Sequence, residues 1–254
     1  MKIQYASDLH LEFTDNWRFL RENPLKVCGD ILILAGDIGY LGEHNYQNHP
    51  FWDWVSQNYK EVLVVLGNHE FYKFYDLASI KDCLVGEIRR NIHYYYNKVV
   101  RIGDVDIIMS TLWSHIEDKD APYCEQCVTD FHRIMYGEKQ LTYREFNKEH
   151  ERCFKFIKQS VEHSTAKNII VVTHHVPSFQ LMSPEFTDSM LNGAFTVELD
   201  GFIKTSGIDY WIYGHSHRNI NKRIGMTQCV CNQLGYVFAN EHNSFDSAKA
   251  IHIE

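Results

Sequence analysis

Five short apolar runs constrain the fold of this chain more than any other feature of its sequence. They occupy residues 3–6, 31–35, 62–66, 169–173 and 210–213. Each run is almost free of polar residues, whereas a strand with one solvated face would alternate apolar and polar side chains. We therefore predict five strands that are buried on both faces. Because helical patterns lie between them, the expected fold class is α/β.

Other patterns predict helices and further strands around these runs. The predicted helices are residues 79–90 with Asp76 as the cap, residues 142–163 opened by the capping box TYRE, and a segment with Phe195, Leu199 and Phe202 that ends at Gly207. The additional predicted strands are a hairpin over residues 99–112 that turns at residues 103–104, strands within residues 222–236, and residues 250–253.

All five runs are followed by the same kind of chemistry. Within four residues of its end, each run reaches a carboxylate, an imidazole or a carboxamide. These side chains are Asp8 and His10, Asp37, Asn68 with His69 and Glu70, His174 with His175, and His215 with His217. In three cases, at Gly36, Gly67 and Gly214, a glycine comes first and predicts a sharp bend. If the five strands lie side by side in parallel, their carboxyl ends deliver these side chains to one small volume.

The types of these side chains indicate a metal site. Imidazole combined with carboxylate suits Mn, Fe, Zn or Ni, whereas calcium and magnesium sites are built mainly from oxygen. Seven donors are too many for one tetrahedral ion, so we expect two ions that share a bridging carboxylate. Two ions about 3.5–4 Å apart can bind both oxygens in a phosphoryl displacement, and a metal-bound water with a pKa near 7 supplies hydroxide.

Read in order, these motifs resemble the full signature of the calcineurin-like metallophosphoesterase superfamily, without a substitution. The motifs are Asp8-x-His10, Gly36-Asp37, Gly67-Asn68-His69-Glu70, His174 and Gly214-His215-x-His217. The resemblance implies a four-layer α-β-β-α sandwich, in which two mixed sheets lie face to face and are flanked by helices. It also implies a two-metal-dependent phosphoesterase, with manganese favoured for activity.

The same resemblance implies a role for each residue. One metal ion would be held by Asp8, His10 and His217, the other by Asn68, His174 and His215, and Asp37 would bridge the two. His69 would lie beside the phosphate and protonate the leaving oxygen, and Glu70 would orient His69. His174 is the implied ligand of the adjacent histidine pair, while His175 either lines the pocket or packs in the protein.

Composition disfavours several classes of partner. The net charge of −8 over 254 residues does not suit long nucleic acid, which binds basic surfaces. The N-terminal residues do not have the pattern of a signal peptide, and the apolar runs are too short to span a bilayer. We therefore expect a cytoplasmic protein without membrane contact. The seven cysteines include a CxxC at residues 124–127 and a CxC at residues 229–231, and we favour free thiols over a zinc site.

The substrate depends on the segment between the third and fourth motifs. We treat residues 1–254 as one domain, in which residues 71–168 contribute a pocket rim. The aromatic stretches FYKFYD and HYYY could stack a nucleobase, although packing in the core is favoured. His115, His132 and Arg133 are candidates for phosphate contacts. The expected substrate is a small or medium phosphodiester or phosphomonoester; the alternatives are a nuclease of the same superfamily or a non-catalytic scaffold of the same fold.

Overall fold

The computed structural model describes residues 1–42, 45–73 and 75–253, and this part of the chain contains fourteen strands and six α-helices. The strands are β1 Lys2–Ala6, β2 Ile31–Ala35, β3 Glu61–Val65, β4 Leu84–Arg89, β5 Ile92–Tyr96, β6 Lys98–Ile102, β7 Val105–Ser110, β8 Met135–Tyr136, β9 Lys139–Gln140, β10 Asn168–Thr173, β11 Tyr210–Tyr213, β12 Lys222–Ile224, β13 Thr227–Cys231 and β14 Ala250–His252. The helices are α1 Thr14–Glu22, α2 Pro50–Asn58, α3 Ala121–Cys127, α4 Asp130–Arg133, α5 Tyr143–His163 and α6 Asp200–Thr205. Within the described residues, no helix combines the length and the apolar character needed to cross a membrane.

Two six-stranded sheets of similar design form the centre of the molecule. Their strand orders are β14-β1-β2-β3-β5-β4 and β12-β13-β11-β10-β7-β6. In each sheet the four central strands are parallel and the two edge strands are antiparallel. The five runs predicted as strands are all central and parallel, but they do not lie side by side. β1, β2 and β3 belong to the first sheet, and β10 and β11 belong to the second.

The two sheets pack face to face and have helices on their outer faces. The core between the sheets contains Ile33 and Leu63 from the first and Ile170 and Ile212 from the second. Helices α1 and α2 pack on the outer face of the first sheet, while α5 and α6 cover the second. Because the central strands are covered on both faces, their sequences are mostly apolar, most completely in β2. The four-layer α-β-β-α sandwich is therefore confirmed.

The helix predicted over residues 79–90 is wrong. The described chain forms a short 3₁₀ turn at Leu77–Ser79, capped by Asp76, and then the edge strand β4. Leu84 and Ile88 are four residues apart, which fits one face of a helix, but it also fits one face of a strand with period two. Pairing with β5 decides for the strand, and Arg89 forms an ion pair with Asp53 on α2.

The other two predicted helices are present, but their bounds agree with the prediction to different degrees. Helix α5 has the predicted length, and its N-cap Thr142 donates its hydroxyl to Glu145. The third helix is shorter than predicted, because α6 starts only at Asp200 and Phe195 precedes it. The predicted hairpin is formed by β6 and β7. The seven cysteines are free thiols.

Candidate metal centre and active site

The loops after β1, β2, β3, β10 and β11 bring their polar side chains to one place. There are three overlapping groups of potential ligand atoms, and within each group the atoms lie within 4.8 Å of one another. They are Asp8 with His10 and His217, His10 with Asp37 and His69, and Asp37 with His174 and His215. The two sheets therefore contribute to a single donor cluster, although the predicted strands are divided between them.

Many of these donors have an unusual backbone conformation. Asp8, His10, Asp37, His215 and His217 all have positive φ angles, between 47° and 74°. Non-glycine residues seldom adopt this left-handed region, and they do so where the surrounding structure fixes them. Here the conformation coincides with the side chains that point into the cluster. Local backbone strain at these loops is thus part of the construction of the site.

The three motif glycines are required mainly by the closeness of the donor side chains. A Cβ atom added at Gly36 would lie 2.4 Å from Nδ1 of His174, and one at Gly67 would lie 2.2 Å from Oδ1 of Asp37. Gly36 also has a φ of +90°, so the predicted sharp bend applies there. At Gly67 and Gly214 it is close approach that excludes a side chain.

The first half of the donor cluster contains two histidines backed by carboxylates. The Nε2 atoms of His10 and His217 lie 3.0 Å apart. The Nδ1 of His10 donates to Glu12 at 3.0 Å, and the Nδ1 of His217 donates to Glu241 at 2.7 Å. Asp8 Oδ1 lies 3.4 Å from Nε2 of His217. The outer bonds place a proton on Nδ1 of both rings, so each ring in its neutral form presents the lone pair of Nε2 to the centre.

The second half is backed by the main chain. The Nδ1 of His174 donates to the carbonyl oxygen of Ala35 at 2.9 Å. Its Nε2 lies 3.3 Å from Oδ1 of Asp37 and 2.9 Å from Oδ1 of Asn68. His215 packs beside it, with ring centroids 4.9 Å apart, and turns its Nε2 toward a backbone carbonyl 3.4 Å away. The other ring nitrogen, Nδ1, is then available for a ligand.

Asp37 lies between the two halves. Its Oδ1 faces His174, as described above, and its Oδ2 lies 3.8 Å from Nε2 of His10. The side chain is 2% exposed. One carboxylate thus presents a different oxygen to each half, which is the arrangement of a bridging ligand.

The electrostatics of the cluster suit cations. Four carboxylate side chains around it are buried: Asp8, Glu12, Asp37 and Glu70. Within the described residues, none of the four forms an ion pair with lysine or arginine. Burial disfavours a charged imidazole, but Asp37 and Asp8 outweigh it and raise the pKa of His174 to about 9. Burial also lowers the pKa of His217, but Asp8 and Glu241 outweigh this and raise it to about 10. This excess of buried negative charge fits divalent cations.

His69 is oriented by Glu12 and not by Glu70. The Nδ1 of His69 donates to Oε1 of Glu12 at 2.8 Å, the same oxygen that accepts from His10. Glu70 instead accepts hydrogen bonds from four backbone amides, of Gly67, Asp37, Ile38 and Gly39. The prediction that Glu70 orients His69 is therefore wrong. Glu70 joins the loops after β2 and β3, and so holds Asp37 and His69 at the correct separation.

The amide of Asn68 is oriented by a residue from the distant rim segment. Its Nδ2 donates to Oδ1 of Asp130 at 2.8 Å, and the hydroxyl of Tyr72 donates to the same oxygen at 2.6 Å. Because a carboxylate can only accept from the amide nitrogen, the amide oxygen of Asn68 must face His174 and the cluster. Asp130 is buried, and burial raises its pKa.

Comparison with known proteins agrees with this geometry. A model of the calcineurin-like phosphoesterase family matches residues 1–219. The chain belongs to the calcineurin-like phosphoesterase family. It is 27% identical to the uncharacterized protein L509 of Acanthamoeba polyphaga mimivirus, over 99% of this chain and 96% of that one. The crystal structure of phosphopantetheinyl hydrolase (PptH) from Mycobacterium tuberculosis has the same fold, with a TM-score of 0.69 and 17% identity over 98% of this chain and 95% of that one.

A cavity of about 620 Å³ opens onto the donor cluster of this phosphoesterase. Asp37, Asn68, His69, His215 and His217 form part of its wall. Aromatic side chains and two arginines form much of the rest: Phe13, Tyr40, Tyr72, Phe186, Phe195, Tyr236, Phe238, Arg133 and Arg218. The volume is that of a pocket for a small molecule.

The rim candidates from the sequence have different positions in the phosphoesterase. Arg133 lines the cavity, but His115 and His132 do not. His132 is exposed, and its Nε2 donates to the carbonyl oxygen of Gln126. His175 is buried, and its ring packs 5.2 Å from Trp113.

Among the described residues of the aromatic stretches singled out in the sequence, only Tyr72 lines the cavity. Tyr95 and Tyr96 are buried in strand β5, as the packing interpretation expects. Of FYKFYD, Tyr72 lines the cavity, Phe71 is buried in the core, and Phe74 lies outside the described residues. Sequence reasoning did not find Glu12, Glu241, Asp130 or Tyr236. Only Glu12 has a local signal, because it follows His10 by two positions in DLHLE.

Proposed function

We propose that this phosphoesterase is a two-metal-dependent hydrolase of a small or medium phosphodiester or phosphomonoester. The observation that carries the proposal is the position of Asp37, whose two oxygens face two separate groups of imidazole and carboxylate donors. One ion would be held by Asp8, His10 and His217, and the other by Asn68, His174 and His215, with Asp37 shared. Mn²⁺, Fe²⁺, Zn²⁺ and Ni²⁺ match this donor set, and we expect Mn²⁺ to support the highest activity.

When bound, the two ions would polarise the phosphoryl oxygens and activate water as the nucleophile. The protein supplies the remaining elements of the reaction. Arg133 lines the cavity and, within the described residues, forms no ion pair with a carboxylate. Its Nη1 lies 3.4 Å from the hydroxyl of Tyr40. We assign it to a non-bridging phosphate oxygen, because a guanidinium without an anionic partner matches that charge and geometry.

His69 is the residue that protonates the leaving oxygen in this proposal. Its Nδ1 is held by Glu12, so its Nε2 faces the cavity beside Asp37, 3.8 Å from Oδ2. Burial opposes a charged ring, but Asp37 and Glu12 outweigh it and raise the pKa of His69 above its ordinary value. A protonated Nε2–H can donate to the oxygen that leaves phosphorus. General acid catalysis of this kind contributes about 10²- to 10⁴-fold in rate.

The test is hydrolysis of 4-nitrophenyl phosphate and bis(4-nitrophenyl) phosphate by protein loaded with Mn²⁺, Ni²⁺, Zn²⁺ or Mg²⁺, with EDTA as the metal-free control. We expect turnover that EDTA abolishes and that a returned transition metal restores. His69→Ala should retain both ions and lose more rate with an alkyl ester than with the nitrophenyl ester, since only the poorer leaving group needs the proton. Activity that persists in EDTA, or equal losses for both leaving groups, would contradict the proposal.

A further inference from the structure

The loop after β7 reaches the same edge of the second sheet as the loops that carry the metal donors. Strand β7 is parallel to β10, and its last residue, Ser110, pairs with Thr173, which directly precedes His174. The four residues that follow β7, TLWS at 111–114, contain neither a carboxylate nor an imidazole. We call them the TLWS loop. Any contribution of this loop to the site therefore comes from its backbone and its hydrogen bonds.

The TLWS loop contains two consecutive bulky residues in the left-handed region. Leu112 has a φ of 68° and Trp113 a φ of 53°, and both are 0% exposed. This conformation is rare for large side chains and persists where the surrounding structure fixes it, most often at functional sites. In the donor loops the residues with positive φ are themselves potential ligands, whereas Leu112 and Trp113 pack in the apolar core. The turn that they form fixes the residue before it, Thr111.

Thr111 connects the loop after β3, in the first sheet, to the loop after β10, in the second. Its carbonyl oxygen accepts from the backbone amides of His174 at 3.3 Å and His175 at 3.2 Å. Its hydroxyl donates to the carbonyl oxygen of Leu66 at 2.6 Å. Leu66 lies two positions before Asn68, which is assigned to the same ion as His174. One residue thus joins the main chains of two donors that come from different sheets.

The TLWS loop is itself held by neighbouring elements. The hydroxyl of Ser110 accepts from the amide of Leu112 at 3.2 Å. The carbonyl oxygen of Leu112 accepts from Nδ1 of His150, on α5, at 3.2 Å. The indole N–H of Trp113 donates to the hydroxyl of Tyr96, at the end of β5, at 3.1 Å. Because both residues of the turn are anchored in this way, Thr111 is a rigid support for the loops that it joins.

We propose that Thr111 is a positioning residue for the second half of the donor cluster and sets the separation of Asn68 and His174. The inference rests on the proposed function and adds a residue outside all five motifs. Thr111 is 0% exposed and does not line the cavity, so it acts through the two donors and not on the substrate. A metal site needs its ligands held to within about 0.5 Å, so a bond that joins their loops supports the affinity for the ion.

The test replaces the hydroxyl of Thr111 and leaves its carbonyl in place. Thr111→Val has nearly the same shape but cannot donate to Leu66, whereas Thr111→Ser keeps the hydroxyl. In calorimetric titration of the metal-free protein with Mn²⁺, we expect Thr111→Val to lower the affinity of one binding step by about 10-fold and to leave the other unchanged. Thr111→Ser should return that step toward the wild-type value. Added to Glu241→Gln, which removes the carboxylate behind His217 in the first half, Thr111→Val should shift both steps.

Thr227→Val is the matched control. Thr227 is 1% exposed, and its hydroxyl donates to the carbonyl oxygen of Ile208 at 2.7 Å. It begins β13, which is parallel to β11, so it lies at the end of the second sheet opposite to the donors. Both valine variants leave a buried carbonyl without this donor, and both should lower the melting temperature of the metal-free protein. Only Thr111→Val should change metal binding.

Three results overturn the inference while leaving the proposed function intact. They are two binding steps that Thr111→Val leaves unchanged or shifts equally, a shift that Thr227→Val reproduces, and a loss that Thr111→Ser does not recover. If Thr111→Val does not fold, Thr111→Cys takes its place, because a thiol is a much weaker donor than a hydroxyl. Unchanged affinity for both ions in that variant also rejects the inference.

Should the wild-type protein bind fewer than two ions, the proposed function fails, and the role of Thr111 is tested in the metal-free protein. Hydrogen exchange then follows the backbone amides of His174 and His175, which donate to the carbonyl oxygen of Thr111. Faster exchange of these amides in Thr111→Val, but not in Thr227→Val, supports the positioning of this loop. Exchange at the wild-type rate, or equal acceleration in both variants, rejects it.

Discussion

The two halves of the donor cluster are supported in different ways. In the first half, His10 and His217 are each backed by a carboxylate, Glu12 or Glu241. In the second half, His174 and His215 are turned toward backbone carbonyls. A carboxylate behind an imidazole makes it a more basic ligand than a carbonyl does, and it can be removed by one substitution. The first half is thus sensitive to side chains outside the motifs, while the second depends mainly on the path of the main chain.

Asp37→Ala should have the largest effect, because Asp37 is the only residue described here that faces both halves. We expect bound metal to fall below one ion per chain and the rate to fall by about 10³-fold or more, since charge stabilisation worth several kcal/mol is lost. Elemental analysis and nitrophenyl ester hydrolysis measure the two effects. Asp53→Ala, at an exposed position on α2, is the matched control and should behave as the wild type. A variant that keeps two ions would show that the halves do not share this residue.

Glu12→Gln should come next, because Glu12 serves both the first half and His69. Although burial opposes its ionisation, hydrogen bonds from His10 and His69 lower the pKa of Glu12 to about 2, so it is a carboxylate at neutral pH. The amide oxygen of glutamine can still accept from both rings, but it no longer carries the charge that makes them more basic. We expect a loss of about 10- to 100-fold both in affinity for one ion and in kcat. If kcat at saturating metal is unchanged, Glu12 supports only the metal ligand and does not position His69.

Much of this fold could be predicted from the sequence, because the evidence for it is local. An unbroken apolar run indicates a strand that is buried on both faces, and the polar residue after it indicates where that strand ends. Ile31–Ala35 and Asp37 are an example. The division of the five strands between two sheets could not be read in that way. Pairing is a contact between distant segments, and a run buried against a helix resembles one buried against another sheet.

The outer support of the site was harder to predict than its donors for the same reason. Glu241 and Asp130 lie far along the chain from the histidine and the asparagine that they hold, and nothing in their immediate neighbours distinguishes them from surface carboxylates. The helix predicted over residues 79–90 was wrong for a different reason, since the spacing of Leu84 and Ile88 fits the period of a helix and that of a strand equally well. The misassigned role of Glu70 shows a further limit: motif membership identified the residue, but only the structure shows that its partners are backbone amides.

Glu241→Gln tests the first half without touching His69. Glu241 accepts from Nδ1 of His217 and contacts Arg218, but no contact with His69 is found among the described residues. We expect affinity for one ion to fall by about 10-fold, while the second ion and kcat at saturating metal stay unchanged. Calorimetric titration of the metal-free protein with Mn²⁺ should then show one shifted binding step. A shift of both steps would mean that the halves are coupled beyond Asp37.

Asp130→Ala should have the smallest effect, and it should act on the other half. Without Asp130, the amide of Asn68 loses the acceptor that fixes its nitrogen, and it can rotate so that the nitrogen faces the metal instead of the oxygen. The remaining donors, His174, His215 and Asp37, are untouched, so we expect less than about a 10-fold loss in affinity for one ion. Asp130→Asn keeps an acceptor oxygen at the same place and should recover most of the loss. The decisive comparison is the double variant with Glu241→Gln. If the two halves are supported independently, both binding steps shift and the two effects add; if both substitutions weaken the same step, the distinction between a carboxylate-backed and a carbonyl-backed half is wrong.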